Sequence, residues 1–387
     1  MKKIGIYLVE GKRIGGAWQI CLTFLEALKN LNKKKYKIYL FQEENIWAKY
    51  IPKNTKIVKV KRNKFSKFLT TAFSRIFNSK YLINNFADFV DSHIKVINKQ
   101  NCDLIIFPNQ DDNSFKVKSK TLTTIWDLMH IYEGQFSEYN KNEKLRRNRK
   151  YQKICDHSSV IVTESNTTKK HIVENYDVNR KKIFVLPLTY PQYLNNPRKY
   201  NVKKKYGIKN NYIFYPAQFW EQKNHKNLLL AFKNLSEKYK LTLVLSGARK
   251  INYEKTLDLI KELKISNKVK ILNFVHEKNM YSLYKSALCV TYVPFTGPTN
   301  IPPLEALKVG VPLVCSDVYE MKKQVGINSA IFVNPKKPEE IEDAISKIIK
   351  NKKHRKNLIL NGKKKIRSLS IEKFSKNINK IINNNIN

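Results

Sequence analysis

The stretch PFTGPTNIPPLEALKVGVP, residues 294–312, decides how the chain is read. An apolar run, Leu288–Tyr292, precedes it, and a second, Pro312–Cys315, closes it. Between them a turn through Gly297 and Pro298 leads to a helix that starts near Pro302–Pro303 and includes Leu304–Lys308. Strand, turn, helix and strand in that order predict a βαβ unit and a parallel sheet. Thr299 and Asn300 suit the capping position, and proline suits the first helical turn. Such a corner presents several main-chain N–H groups to one point, where a diphosphate is a natural ligand. Glu305, one turn in, is placed to reach sugar hydroxyls such as those of a ribose. The plainer reading makes it a carboxylate that complements the helix dipole.

The same rhythm extends in both directions. Toward the C-terminus, Ile331–Val333 reads as a strand and Pro338–Lys350 as a helix. Toward the N-terminus, strands are expected at Tyr212–Tyr215, Leu241–Leu245 and Val269–Asn273, with helices at Lys226–Tyr239, Tyr253–Leu263 and Met280–Ser286. The rhythm breaks at PLTYPQYLNNPRKYNVKKKYG, where three prolines and a charged run show no apolar period. That break reads as an interdomain linker, residues 191–210. Before it, strands are expected at Ile4–Val9, Tyr36–Phe41, Lys56–Val60, Leu104–Phe107, Thr121–Trp126, Val160–Thr163 and Phe184–Leu186, with helices such as Gly16–Asn30 and Ser165–Glu174. The expected fold is α/β, with two doubly wound Rossmann-like domains facing across a cleft. The N-terminal domain is residues 1–190, the C-terminal one 211–370. Residues 371–387 form a helix or tail that returns to the N-terminal domain or stands apart. Ligands of open α/β sheets sit at the carboxyl ends of the strands.

With 387 residues there is chain for two or three domains at ~100–200 residues each. No apolar run of transmembrane length and no signal-peptide pattern is visible. Lysine and arginine number 74 against 31 acidic residues, a formal charge of +43. Nucleic acid, an anionic membrane or phosphorylated substrates would each suit that charge. Lysine, asparagine and isoleucine are also abundant throughout, so composition bias is a further source. No nucleic-acid-binding motif is present, and the expectation is no nucleic acid. The five cysteines form no CxxC and read as buried thiols. The seven histidines form no HxxxH pattern, so no metal site is expected.

A second informative stretch is YIFYPAQFWEQKNHKNLLLAF, residues 212–232. A strand ends at Pro216 and a helix starts near Asn227. Lys223 lies in the loop between them with Asn224, His225 and Lys226; by itself the cluster reads first as a solvated basic loop, and a lysine there is also a point charge suited to phosphate. Together these segments resemble the family 4 glycosyltransferases of the GT-B fold. The resemblance includes Ser246-Gly247, PTNIPPLEAL, GVPLVCSDVYEM and AIFVNP across residues 205–350. It continues more weakly through IGGAWQ (Ile14–Gln19), TIWDLMHIYEGQFSEY (Thr124–Tyr139) and VIVTESNTTKKHI (Val160–Ile172).

The resemblance implies a retaining transfer of a sugar from a nucleotide-diphosphate sugar, with no metal and no other cofactor. It implies that Lys223 and the Thr299–Asn300–Ile301 main chain hold the diphosphate and that Glu305 holds the ribose. Gly15 and Gly16 close on the donor. Three positions depart from the family pattern. Gly297 replaces the first glutamate of a pair, Gln218 replaces an arginine near the phosphates, and Trp126 replaces the histidine of a His-Asp pair. Asp127 remains and His130 follows it; these two are the expected catalytic residues. The base is expected near Ser246–Arg249, including Gly247.

The expected activity moves mannose, rhamnose or another hexose to a glycan or lipid-linked acceptor in bacterial surface polysaccharide or lipopolysaccharide assembly. A GT-B enzyme of other chemistry, such as an epimerase, and a basic nucleic-acid-binding protein are the alternatives. Residues 60–82, VKRNKFSKFLTTAFSRIFNSKYL, place Phe65, Phe68, Leu69, Ala72, Phe73, Ile76 and Phe77 on one helical face beside lysines and arginines. That pattern suits either an anionic membrane surface or a helix packed on the sheet. The expected location is cytoplasmic, peripheral at the inner face of the membrane.

Overall fold

The computed structural model describes residues 1–8, 15–195 and 197–386. The chain divides into two units. The first comprises Met1–Ile131, Lys141–Pro187 and Ile371–Asn387; the second comprises Tyr132–Asn140 and Leu188–Ser370.

The first unit is built on a parallel sheet with the order β3-β2-β1-β4-β5-β6-β7. Its strands are β1 (Lys2–Tyr7), β2 (Tyr36–Gln42), β3 (Lys56–Lys59), β4 (Leu104–Phe107), β5 (Lys120–Thr124), β6 (Val160–Thr163) and β7 (Ile183–Val185). The second unit has β8 (Asn211–Pro216), β9 (Leu241–Ser246), β10 (Val269–Ile271), β11 (Cys289–Tyr292), β12 (Leu313–Ser316) and β13 (Ile331–Val333). Their order is β10-β9-β8-β11-β12-β13, all parallel. Strands covered on both faces read as near-continuous apolar runs, which is why LIIF at 104–107 and LVCS at 313–316 are buried at every position. In each sheet the order reverses beside the unit's first strand, between β1 and β4 and between β8 and β11. Ligands of doubly wound sheets bind at that reversal, outside the strands' carboxyl ends.

Each expected strand overlaps an observed one. The strand expected at Thr121–Trp126 stops at Thr124, and the Trp126 indole donates to the Pro108 carbonyl at 3.0 Å. Val9, the end of the strand expected at Ile4–Val9, and Ile14 of IGGAWQ lie outside the described residues, as do Asn196 and Asn387.

Residues 191–210 are packed rather than a free connector. They contain a turn of 3-10 helix, Gln192–Leu194, and a short helix, Val202–Tyr206, ending on Gly207. Leu194, Val202 and Ile208 join the second unit's core. Tyr132–Asn140 also belongs to that unit, which the strand rhythm did not suggest. The last helix, Ile371–Ile386, belongs to the first unit, where Phe374, Ile378 and Ile382 pack with Phe24 and Leu28.

Residues 60–82 form parts of two helices. Lys64–Ile76 is capped by Asn63, whose side chain accepts from the Phe65 and Ser66 amides. Ser79 then caps a second helix, Lys80–Val90. The expected helix at Leu304–Lys308 is longer, Ile301–Val309, and ends on Gly310 in the left-handed region.

Candidate functional site

The loops that leave β8 and β11 meet at the reversal of the second sheet. The Phe295 amide donates to the Gln222 carbonyl at 2.9 Å, tying the two loops together. Asn224, in the left-handed region, donates through its side chain to the Val293 and Pro335 carbonyls at 2.9 and 2.7 Å. Its side chain also accepts from the Asn227 amide, so one residue ends the loop and starts the His225–Lys238 helix. This anchoring fixes the backbone that carries Lys223.

Lys223 and Asn300, both expected at the site, come together. The Lys223 ammonium donates to the Tyr292 hydroxyl at 3.2 Å and to Asn300 Oδ1 at 3.4 Å. The Tyr292 hydroxyl donates to the same Oδ1 at 2.9 Å. Asn300 occupies the N-cap position of the Ile301–Val309 helix, yet its side chain makes no cap. It faces the lysine instead.

The amide donors at this corner are fewer than the sequence implied. Asn300 N–H donates to Gln324 Oε1 at 2.9 Å, and Gln324 Nε2 donates back to the Asn300 carbonyl at 2.9 Å. Pro302 and Pro303 have no N–H. The Ile301 amide therefore remains at the helix start, with the Thr299 hydroxyl, a buried oxygen without a hydrogen-bond partner. Gly297, where the family pattern has a glutamate, has φ +119°, and a Cβ there would come within 2.7 Å of Asn300 Nδ2. A side chain at 297 would push Asn300 off the lysine.

Gly247 lies where β9 ends. A Cβ there would fall 2.1 Å from the Ala217 carbonyl oxygen, so the two loops approach closely only because this residue is glycine. Gln218, in place of the family's arginine, accepts from the Trp220 indole at 3.0 Å. The Lys250 ammonium lies 4.9 Å from the Trp220 ring centre.

Glu305 is buried. Its two oxygens accept from the Tyr193 and Tyr284 hydroxyls, each at 2.5 Å. Burial lifts its carboxyl above the ordinary glutamate range, although both hydroxyls pull the other way. Tyr193 comes from the stretch read as a linker, which is why sequence reasoning missed it. Tyr284, Tyr292 and Gln324 were missed as well. The one available signal was that Tyr292 ends a strand bordering the sheet reversal.

Asp127, His130, Gly15 and Gly16 lie in the first unit. Asp127 accepts from the Met129 amide at 3.1 Å and opens the short helix Met129–Tyr132. His130 is buried, with Nε2 2.8 Å from Asn148 Oδ1 and its ring edge-on to Tyr151. Burial lowers its pKa, so the imidazole is held neutral. Gly15 has φ +78° and begins the Gly15–Leu28 helix. Beside that helix is a cavity lined in part by Tyr7, Trp18, Trp47, Asn109, Gln110 and Asp111. Trp18 and Trp47 stack there at 4.1 Å. Among the described residues no cluster of three metal-ligating side chains occurs.

Residues 198–365 match the family of glycosyl transferases group 1. That match lies within the second unit. Over 199 residues the chain is 28% identical to the O-antigen chain mannosyltransferase RfbU of Salmonella typhimurium, covering 51% of this chain and 52% of RfbU. The chain thus spans about half the length of the curated relatives it matches. Among solved structures, a sucrose-phosphate synthase from Thermosynechococcus elongatus superposes with a TM-score of 0.78 at 14% identity, over 99% of both chains. HepE of Anabaena, solved with UDP and glucose, gives a TM-score of 0.73 at 13% identity, over 99% of this chain and 100% of HepE. The fold is GT-B. The matched stretch includes Lys223, Gly247, Asn300 and Glu305, so the corner described above lies inside it.

Proposed function

We propose that the protein is a retaining glycosyltransferase. It moves a hexose from a nucleotide-diphosphate sugar to a glycan or lipid-linked acceptor in bacterial surface polysaccharide assembly. The meeting of Lys223 with Asn300 at the reversal of the second sheet carries this reading. The match to glycosyl transferases group 1 and the naming of RfbU as an O-antigen mannosyltransferase support it, as does UDP in the HepE structure.

In this reading the Lys223 ammonium and the Ile301 amide face the diphosphate, with the Thr299 hydroxyl as a further donor. The Tyr292–Asn300 pair holds the ammonium in place. Gly247 lets the nucleotide approach the main chain. Glu305 holds the ribose, with Tyr193 and Tyr284 fixing its carboxyl. Asp127 is the acidic group nearest in role to the reacting sugar, and His130 acts as a positioning residue through Asn148. Gly15 and Gly16 close on the donor. The acceptor falls to the first unit, where the half-buried Asn109 and Gln110 line the cavity beside the Gly15–Leu28 helix and offer amide groups that suit sugar hydroxyls.

The transfer needs no protein nucleophile. The acceptor oxygen bonds to the anomeric carbon on the face from which the diphosphate leaves, and the departing diphosphate oxygen takes the acceptor's proton. The protein supplies orientation and positive potential at the oxygen where charge develops. The lysine supplies that charge without a metal.

Lys223→Ala should lower turnover of a nucleotide sugar by ~10²-fold or more. The assay follows release of nucleoside diphosphate, with the donor chosen by thermal shift over UDP, GDP and their sugars, since binding raises Tm by mass action. Turnover equal to the parent's would remove Lys223 from the site and this reading with it.

A further inference from the structure

We infer that the face made by the helices Lys64–Ile76 and Lys80–Val90 docks on an anionic lipid surface. The inference stands apart from the transferase reading, because it concerns the first unit's surface and needs no donor site.

The first helix is turned inside out relative to an ordinary surface helix. Its buried residues are Ser66, Thr70 and Ser74, one per turn along one face. Three of its large apolar residues point outward, Phe65 at 68% exposed, Phe68 at 67% and Ile76 at 77%, while Phe73 is half-buried against the first unit's core. The second helix adds Tyr81 at 76% and Phe89 at 85%. Between the helices Phe73 stacks on Phe77 at 4.4 Å and on Phe86 at 4.0 Å, which ties the two into one face. A contiguous patch of large apolar side chains on a protein surface marks an interaction site.

A specific contact pins this orientation. Lys116 is fully buried, and its ammonium donates to the Thr70 and Thr71 hydroxyls at 3.0 and 3.1 Å. Turning the phenylalanines inward would leave that ammonium without these two acceptors, and an unpaired buried charge is strongly unfavourable. The polar residues are therefore the helix's docking face, and the apolar stripe is left for something else.

Charge selects the occupant. From Lys61 to Val90 the sequence has six lysines and arginines against one acidic residue, Asp88, which pairs with Lys118 at 2.7 Å. Lys61, Lys64, Lys67 and Arg75 are exposed around the phenylalanines. A second copy of this chain would bring two such cationic rims together. A neutral apolar partner would leave the charge unanswered. Anionic lipid answers both parts: headgroups take the cations and the acyl boundary takes the aromatic rings. Among the described residues no helix is long and apolar enough to cross a membrane, so the contact is one that lies in the interface plane.

The test is flotation of the full chain with vesicles of phosphatidylcholine, with and without phosphatidylglycerol. The chain should float with the anionic vesicles. The triple variant Phe65→Ser/Phe68→Ser/Ile76→Ser should lose at least about tenfold in partitioning while its Tm is unchanged, since all three side chains are exposed. Equal flotation of parent and variant would overturn the inference and leave only the bulk +43 charge. No flotation of the parent would overturn it too. So would a dimer of the parent, seen by light scattering, that the triple variant dissolves, because the face would then belong to a second copy. A second variant, Lys64→Glu/Lys67→Glu/Arg75→Glu, separates charge from insertion: it should abolish flotation at low salt, and unchanged flotation would refute the anionic requirement.

Discussion

Two helices of 13 residues, Lys64–Ile76 and Pro338–Lys350, carry similar amphipathic patterns and face opposite ways. Pro338–Lys350 buries Ile341, Ala344, Ile345 and Ile348 in the second unit's core. It starts on a proline with Glu339 and Glu340 in its first turn, which matches the helix dipole. Its polar side is tied down at the margin, where Glu342 accepts from Asn234 and Lys238 at 2.9 and 2.6 Å. Lys64–Ile76 has no acidic residue in its first turn and buries serine and threonine. A period of 3.6 residues shows that an apolar stripe exists. It does not show which side the rest of the molecule takes. That choice is made by a partner distant in sequence, here Lys116.

The largest effect should appear at the inward-facing helix. Ile345→Ala deletes fully buried carbon and should lower unfolding free energy by about 2–4 kcal/mol. Urea unfolding of the two variants, Ile345→Ala and Phe68→Ala, sets the contrast. A loss at Phe68 as large as at Ile345 would mean that the Lys64–Ile76 helix packs on its phenylalanines, and the comparison would collapse.

An intermediate effect should appear at Thr70. Thr70→Val keeps the side-chain shape and removes one of the Lys116 acceptors. At a solvated helix position the change would be nearly neutral. Here it should cost about 1–2 kcal/mol, because a buried ammonium loses a hydrogen bond. Hydrogen exchange should show faster opening of residues 64–76 while residues 338–350 keep their protection. A stabilised Thr70→Val variant would show that the lysine does not hold the helix.

This comparison also explains what the sequence made legible. The strands were readable because parallel strands covered on both faces are short apolar runs, as at Leu104–Phe107 and Cys289–Tyr292. That Lys223 and Asn300 belong to one corner was readable from the family resemblance, since each sits in a loop after a strand that borders the sheet reversal. The residues that complete it were not. Tyr193 lies 112 positions from Glu305, in a stretch whose prolines and lysines hide the apolar spacing of Leu194, Val202 and Ile208. The several amides expected near Asn300 were reduced by Gln324, whose side chain takes one of them from 24 positions away. The contacts of His130, expected at the reacting centre, were not readable either: it is buried against Asn148 and Tyr151, 18 and 21 positions away. Local pattern gives elements and their polarity. Pairings across a hundred residues decide which polar groups remain available.

The smallest effect should be at the exposed stripe itself. Phe68→Ser removes a ring that is 67% exposed in the folded state. Serine and phenylalanine have nearly the same helix propensity, so the backbone contribution cancels. The unfolded chain exposes the ring as well, so little apolar burial changes hands on unfolding. Stability in urea should therefore move by no more than about 0.5 kcal/mol, in either direction. The same substitution in an ordinary amphipathic helix, at a ring packed on the core, would place a hydroxyl in apolar surroundings and cost several times more. A near-zero value at Phe68 beside a large one at Ile345 would show that a strong apolar stripe can be retained in a helix without serving the stability of the fold.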